Sequence, residues 1–151
     1  MAKDEVLLKC MEMEWQDHFQ TRVQTWHSLE MEALLAVALI GIDWKLENIY
    51  ATLVVSFLLI LAAYFGVLIT IRHRNGVEVP KFKRIIRIEE ELGLSKLGGL
   101  FADVKPPQEI KWWHAFYLNR SSTMLFILRM HMILMAFGII YLVSRAVQYV
   151  G

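Results

Sequence analysis

The chain has 151 residues, enough for one domain, and 56% of them are hydrophobic, against roughly 45–50% in an ordinary soluble domain. A formal net charge of +1 argues against a general nucleic-acid binder. The single cysteine, Cys10, excludes an intramolecular disulfide. The first residues, MAKDEVLLKCMEMEWQDHF, are charged throughout, which predicts no cleavable signal peptide.

Two segments are apolar enough to predict transmembrane helices. Ile49 to Ile71 contains no charged residue, and about 20 residues suffice to cross the hydrocarbon core. Ser122 to Val143 is interrupted only by Arg129 and His131. The preceding EIKWWHAFYLNR is rich in Trp and Tyr, as is typical of a membrane interface.

A third span is predicted ahead of these two. The apolar segment Ala33 to Ile42 is too short to cross alone, but it reaches spanning length when it is extended back to about Gln24. The extension includes Glu30 and Glu32. The polar segment DWKLEN then forms a short turn, so the first two spans are expected to form a hairpin.

The aqueous parts are predicted to be helical. An apolar stripe from Leu8 has steps of three and four residues, so the first helix continues without a break into the membrane. A second aqueous helix begins at Pro80 and ends before Gly93, while 94–107 forms a connector. The last helix is expected to start after Pro106–Pro107 and to enter the membrane unbroken. The predicted bounds are 4–42 for the first helix, 47–72 for the second span, 73–121 for a cytoplasmic segment with a helix over 80–92, and 122–147 for the third span.

Charge predicts the orientation. Ten of the sixteen Lys and Arg residues lie between Arg72 and Arg120, and the positive-inside rule places such a segment in the cytoplasm. The N-terminus is then cytoplasmic and the C-terminus outside. The fold class is an all-α integral membrane protein with three transmembrane helices and long cytoplasmic helical extensions.

Four ionisable residues fall inside the predicted spans. Counting 1.5 Å per residue puts Arg129 and His131 about 12 and 15 Å deep, and Glu30 and Glu32 about 10 and 13 Å deep. An ionisable group at the bilayer centre costs about 2.5–3.5 kcal/mol or more, so acid–base pairing is expected. Arg129 with Glu30 is the expected pair.

Residues two apart on a helix point about 200° apart, so neither the acids nor the bases can both face one neighbour. A second copy would cover the remaining side, which predicts a homo-oligomeric bundle packed through the first and third spans. The Glu30–Arg129 pair is then either structural or part of a polar layer, made of Glu30, Glu32, Arg129 and His131, that lines a gate. A haem or metal role for His131 is a weaker alternative, since His27 lies at another depth.

No catalytic or resident cofactor motif is found. Glu14 and His18 have i,i+4 spacing beside Asp17, but a di-metal bundle needs this motif on two helices, so an amphipathic surface is predicted. Phosphate loops and Ser/His/Asp arrangements are not found, and we predict no enzyme activity, cofactor or metal.

Basic residues cluster after the second span. Two interpretations of these residues are open. They contact lipid headgroups, or, more specifically, they form a binding site for an anionic nucleotide or oligonucleotide signal. The candidate residues are Arg72, Arg74, Lys81, Lys83, Arg84 and Arg87.

The pattern of a hairpin, then RHRNGVEVPKFKRIIRIEEELGL, resembles the small SLATT-type bacterial membrane proteins from about Leu29 to Leu94. The resemblance implies a homo-oligomeric inner-membrane pore, gated from the cytoplasm by an anionic signal, that acts as a defence effector. The third span departs from the common two-span pattern. The alternatives are a structural or scaffold subunit of a membrane complex and, more weakly, a haem- or metal-binding membrane subunit.

Overall fold

The computed structural model describes residues 3–94, 108–116 and 122–150, and the secondary structure within these ranges is entirely helical. The absence of strands in this part of the chain agrees with the all-α prediction. The helices are α1 (Lys3–Leu46), α2 (Ile49–His73), a π-helix (Arg74–Glu78), α3 (Val79–Glu91), a short 3₁₀-helix (Trp112–Phe116) and α4 (Thr123–Val150).

A tight turn joins α1 to α2. Glu47 has a positive φ of 46°, and the side-chain oxygen of Asn48 accepts a hydrogen bond from the backbone N–H of Tyr50 at 2.9 Å. This bond satisfies a donor at the start of α2 that would otherwise have no partner within the helix. The tight turn expected between these two helices is therefore present.

The chain divides into two compact units, each described separately. We call Met1–Gln24 with Arg72–Ile110 the extension unit, and Thr25–Ile71 with Lys111–Gly151 the apolar unit. The first part of α1 and all of α3 belong to the extension unit. Most of α2 and all of α4 belong to the apolar unit.

Ion pairs fix the register of the extension unit. Lys3 contacts Glu91 at 3.9 Å, Glu14 contacts Arg84 at 3.3 Å, and Asp17 contacts Lys81. Partners that rise along α1 fall along α3, so the two helices run antiparallel. Between the two helices, the buried His18 ring packs edge-on against the Phe82 ring, with centroids 4.8 Å apart. The Trp15 ring also packs edge-on against Phe82, with centroids 5.9 Å apart.

The π-helix carries a tie to a distant segment. The Asn75 side chain donates to the backbone oxygen of Ile110 and accepts from its backbone N–H, each at 2.8 Å. Both backbone groups of the buried Ile110 are thereby satisfied. One side chain thus holds two segments that are 35 residues apart.

Within the apolar unit, α1 and α4 run in the same direction, as predicted. Trp26 packs on Phe126 with centroids 5.8 Å apart, Glu32 contacts His131, and further along the helices Asp43 contacts Tyr141. The apolar core contains Ala36, Val55, Leu59 and Tyr141. Gly138 lets α4 approach α2 closely, since a Cβ there would lie 3.1 Å from Ile60 Cγ1.

Within the described parts of the chain, two continuous helical stretches are long and apolar enough to cross a membrane, judged by length and composition. They are Ile49–Glu91, with 43 residues that include the π-helix and α3, and Thr123–Tyr149, with 27. The structure therefore supports membrane association, while α1, expected to be a third span, is not one of these two. Its apolar part includes Glu30 and Glu32.

The prediction that the last helix enters the membrane unbroken is wrong. Residues 108–111 are not helical, 112–116 form a 3₁₀-helix, and α4 begins only at Thr123. The physical reason is local, because the Ser122 hydroxyl accepts a hydrogen bond from the backbone N–H of Leu125 at 3.2 Å and caps α4. Of the predicted connector 94–107, only Leu94 lies within the described residues.

Replacing Asn75 with alanine should free the segment around Ile110. We expect faster amide hydrogen exchange of the peptide containing Ile110, with a local destabilisation of about 1–2 kcal/mol for two lost hydrogen bonds. Asn75→Asp keeps the acceptor for the Ile110 N–H and should fall between wild type and alanine. Equal exchange in all three proteins would contradict this account.

Candidate functional site

A buried acid–base pair lies in the middle of the apolar unit. Glu32 Oε2 on α1 shares a hydrogen bond with His131 Nδ1 on α4. The His131 side chain is 1% exposed and the Glu32 side chain 9% exposed. Sequence depth had placed these residues at nearly equal levels, and the structure brings them together. The pair compensates two ionisable groups that an apolar environment would otherwise disfavour.

A glycine makes room for the pair. A Cβ built on Gly66 of α2 would lie 2.8 Å from Glu32 Oε2 and closer still to the His131 ring. The imidazole and the carboxylate therefore rest directly against the α2 backbone, which only glycine permits.

A cavity of about 310 Å³ adjoins the pair. Its walls are mostly apolar and include Met31, Leu35 and Phe65. Glu32 and His131 also line it, so the polar side of the cavity is the acid–base pair itself. Of the two, the partly exposed Glu32 is the group that solvent reaches more readily.

The other two predicted intramembrane charges have different partners. Glu30 lies at the surface and contacts His27 Nδ1 at 2.9 Å. Arg129 Nε donates to the backbone oxygen of Ala115, in the 3₁₀-helix, at 3.0 Å. The expected Glu30–Arg129 pair is thus replaced by contacts closer along the chain. The guanidinium reaches back beyond the start of its own helix, where Trp112 and Trp113 are exposed aromatic residues typical of an interface.

The sequence analysis missed a second buried polar cluster. The fully buried carboxylate of Asp43 accepts hydrogen bonds from Thr52 Oγ1 at 2.7 Å, Tyr141 Oη at 2.5 Å and Arg145 Nε at 3.2 Å. Asp43 had been interpreted only as part of the polar turn DWKLEN, and no partner was predicted for it. Matching depth at the far ends of the first and third spans would have paired it with Arg145.

Half of the basic residues in the predicted anion site contact carboxylates of the extension unit. Arg74 contacts the buried Glu78, Lys81 contacts Asp17, and Arg84 contacts Glu14. The hydrogen bond from Lys81 holds the pKa of Asp17 below its usual range. The cations of the set that lie exposed are Arg72, Lys83, Arg84 and Arg87. Glu14 and Asp17, once weighed as metal ligands, instead face Arg84 and Lys81.

No family model, curated protein or solved structure compared with this chain matches it. The geometry of the described residues therefore carries the functional argument.

Gly66→Ala should disrupt the acid–base pair. The added methyl group collides with two groups that are packed and buried, so we expect a loss of about 1–3 kcal/mol in the free energy of unfolding in detergent. Gly76→Ala is the matched control, because a Cβ there meets nothing within 4 Å. A helical Gly→Ala change is then neutral or stabilising by up to about 1 kcal/mol. Equal stability of Gly66→Ala and wild type would refute the packing described here.

The extension unit should lose stability in acid through His18. Burial, aided by the nearby Arg22, lowers the pKa of His18 below its ordinary 6.5. The unfolded chain then binds more protons than the folded one, so stability present above the unfolded value declines as the pH falls below 6.5. Thermal unfolding at about pH 7.5 and about pH 5.5 measures this change. His18→Gln should reduce the difference between the two midpoints, and an undiminished difference would exclude His18 as its source.

Proposed function

We propose that the chain is a non-enzymatic subunit of a homo-oligomeric channel or pore-forming effector in the bacterial inner membrane, gated from the cytoplasmic side. The proposal includes a third membrane crossing by α1. The observation that carries it is an exposed pair of ionisable side chains on α1. The resemblance to SLATT-type proteins over Leu29 to Leu94 supports the same class of function.

The exposed pair is His27–Glu30. These side chains are 68% and 63% exposed, although they belong to the apolar unit. Glu32, only two residues on, points away from them into the core. One acid on this helix is therefore compensated inside the chain and the other is left at its surface.

The same surface of α1 continues as an apolar stripe. Leu34 is 65% exposed and Val37 is 71% exposed, and nothing lies within 4 Å of where a Cβ on Gly41 would be. We call His27, Glu30, Leu34, Val37 and Gly41 the outer face of α1. Their spacing of three and four residues places them on one side of the helix.

A second copy of the chain is the natural cover for the outer face. A charged pair facing lipid is unfavourable, whereas packing between copies hides it from hydrocarbon. A small residue such as Gly41 favours close helix approach in membranes. Copies arranged in a ring through this face would gather the His27–Glu30 pairs and create a polar lining.

The proposed signal is anionic, and anionic lipid headgroups could bind the same exposed basic residues. Arg72, Lys83 and Arg87 are exposed basic residues of the extension unit, while three other members of the basic set contact carboxylates. An anionic nucleotide or oligonucleotide would bind these exposed cations by charge and hydrogen bonding. Its binding would be the gating event.

The decisive experiment is crosslinking through the outer face. In a Cys10→Ser background, Val37→Cys should crosslink between copies in native membranes. Phe57→Cys on α2 is also exposed, at 63%, and is the control expected to crosslink poorly. Native mass spectrometry in mild detergent then gives the subunit number, and liposome conductance tests the pore.

We expect Arg129→Ala to abolish conductance or assembly. The substitution removes the guanidinium group, whose Nε donates a hydrogen bond to the backbone oxygen of Ala115 ahead of α4. A variant with full assembly and conductance would overturn the gating role. A monomer that does not conduct would overturn the pore itself.

The second candidate is a structural subunit of a larger membrane complex. A cavity of about 570 Å³ in the extension unit favours it, because its lining combines apolar and charged groups, as a protein interface does. The residues that line it are Cys10, Met13, Glu14, Asp17, Arg84, Arg87 and Ile88. A stable partner in a pull-down, together with no conductance, would favour this candidate.

A further inference from the structure

The Glu32–His131 pair uses only half of its hydrogen-bonding capacity. Glu32 Oε2 and His131 Nδ1 bond to each other. The remaining polar atoms, Glu32 Oε1 and His131 Nε2, are buried and have no hydrogen-bond partner among the described residues. Nε2 is therefore the ring nitrogen that can gain or lose a proton while the hydrogen bond between Nδ1 and Glu32 is kept.

The cavity beside the Glu32–His131 pair brings no other ionisable side chain against it among the described residues. Of the described residues that line the adjoining cavity, Glu32 and His131 are the ionisable ones. Helix α2 contributes Ala62, Phe65, Gly66 and Ile69, which carry no charge.

The next charged groups along α1 and α4 are engaged elsewhere. His27 and Glu30 contact each other at the surface. Arg129 donates to the backbone oxygen of Ala115. These groups therefore form no ion pair with Glu32 or His131.

Two protonation states of the pair differ sharply in free energy. With a proton on both ring nitrogens, an imidazolium faces a carboxylate and the net charge is zero. When Nε2 releases its proton, Nδ1–H still donates to Glu32, but the buried site carries a net charge of −1. An uncompensated buried charge is costly, so the first state holds α1 against α4 more strongly than the second.

We propose that Glu32 and His131 form a proton-binding site of the apolar unit, with one proton per chain as its ligand. The proton is held on the His131 ring, beside the cavity that the pair helps to line. Its release from Nε2 removes the charge attraction between α1 and α4. This site does not depend on whether copies assemble into a pore.

The test is solid-state NMR of full-length protein, ¹⁵N-labelled at histidine, in lipid vesicles from about pH 5 to about pH 8. His131→Gln identifies the signal. We expect Nε2 of His131 to lose its proton as the pH is raised, while Nδ1 keeps its proton. A ring that keeps one form throughout the range would overturn the proposal.

Glu32→Gln tests the partner. Without the carboxylate that stabilises the imidazolium, the ring should lose its Nε2 proton at a lower pH than in wild type. Glu30→Gln is the matched control, because Glu30 contacts His27, and it should leave the His131 signal as in wild type. An unchanged His131 response in Glu32→Gln would overturn the pairing. If that variant does not fold, the wild-type titration alone decides the proposal.

Discussion

The apolar unit depends on the contact between Glu32 and His131. Two ionisable side chains are stable there because each compensates the other and because Gly66 lets both lie against the α2 backbone. This contact sets the depth at which α1 meets α4. It also explains why α1 can carry an acid through a largely apolar helix without being disrupted.

Hydrophobic pattern and charge located most of the helices. The hairpin, the parallel course of the first and last apolar helices and the level of Glu32 with His131 all follow from counting 1.5 Å per residue. Gly93 ends its helix with a φ of +69°, as the capping rules indicate, whereas the helix predicted to begin at Pro80 continues from α2 through the π-helix without a break. The correctly predicted features depend on local chemistry or on helix geometry, both of which one sequence contains.

The partner of each charge could not be predicted in the same way. Depth alone allowed Arg129 to meet Glu30, but rotation about the helix axes decides the contact, and depth does not determine rotation. Arg129 instead donates a hydrogen bond to the backbone carbonyl of Ala115. Every residue carries such an acceptor, so the sequence contains no signal for this contact. The break before α4 was missed for a related reason, since a serine cap is a single weak signal within an aromatic, apolar segment.

The Asp43 cluster changes how the apolar unit can move. Helices α1 and α4 are joined at two levels, by Glu32 with His131 and by Asp43 with Tyr141 and Arg145. A slide or a turn of one helix along the other would break both sets of contacts at once, because their spacing along the two helices is nearly equal. Motions of the apolar unit that keep both sets of contacts therefore carry α1 and α4 together.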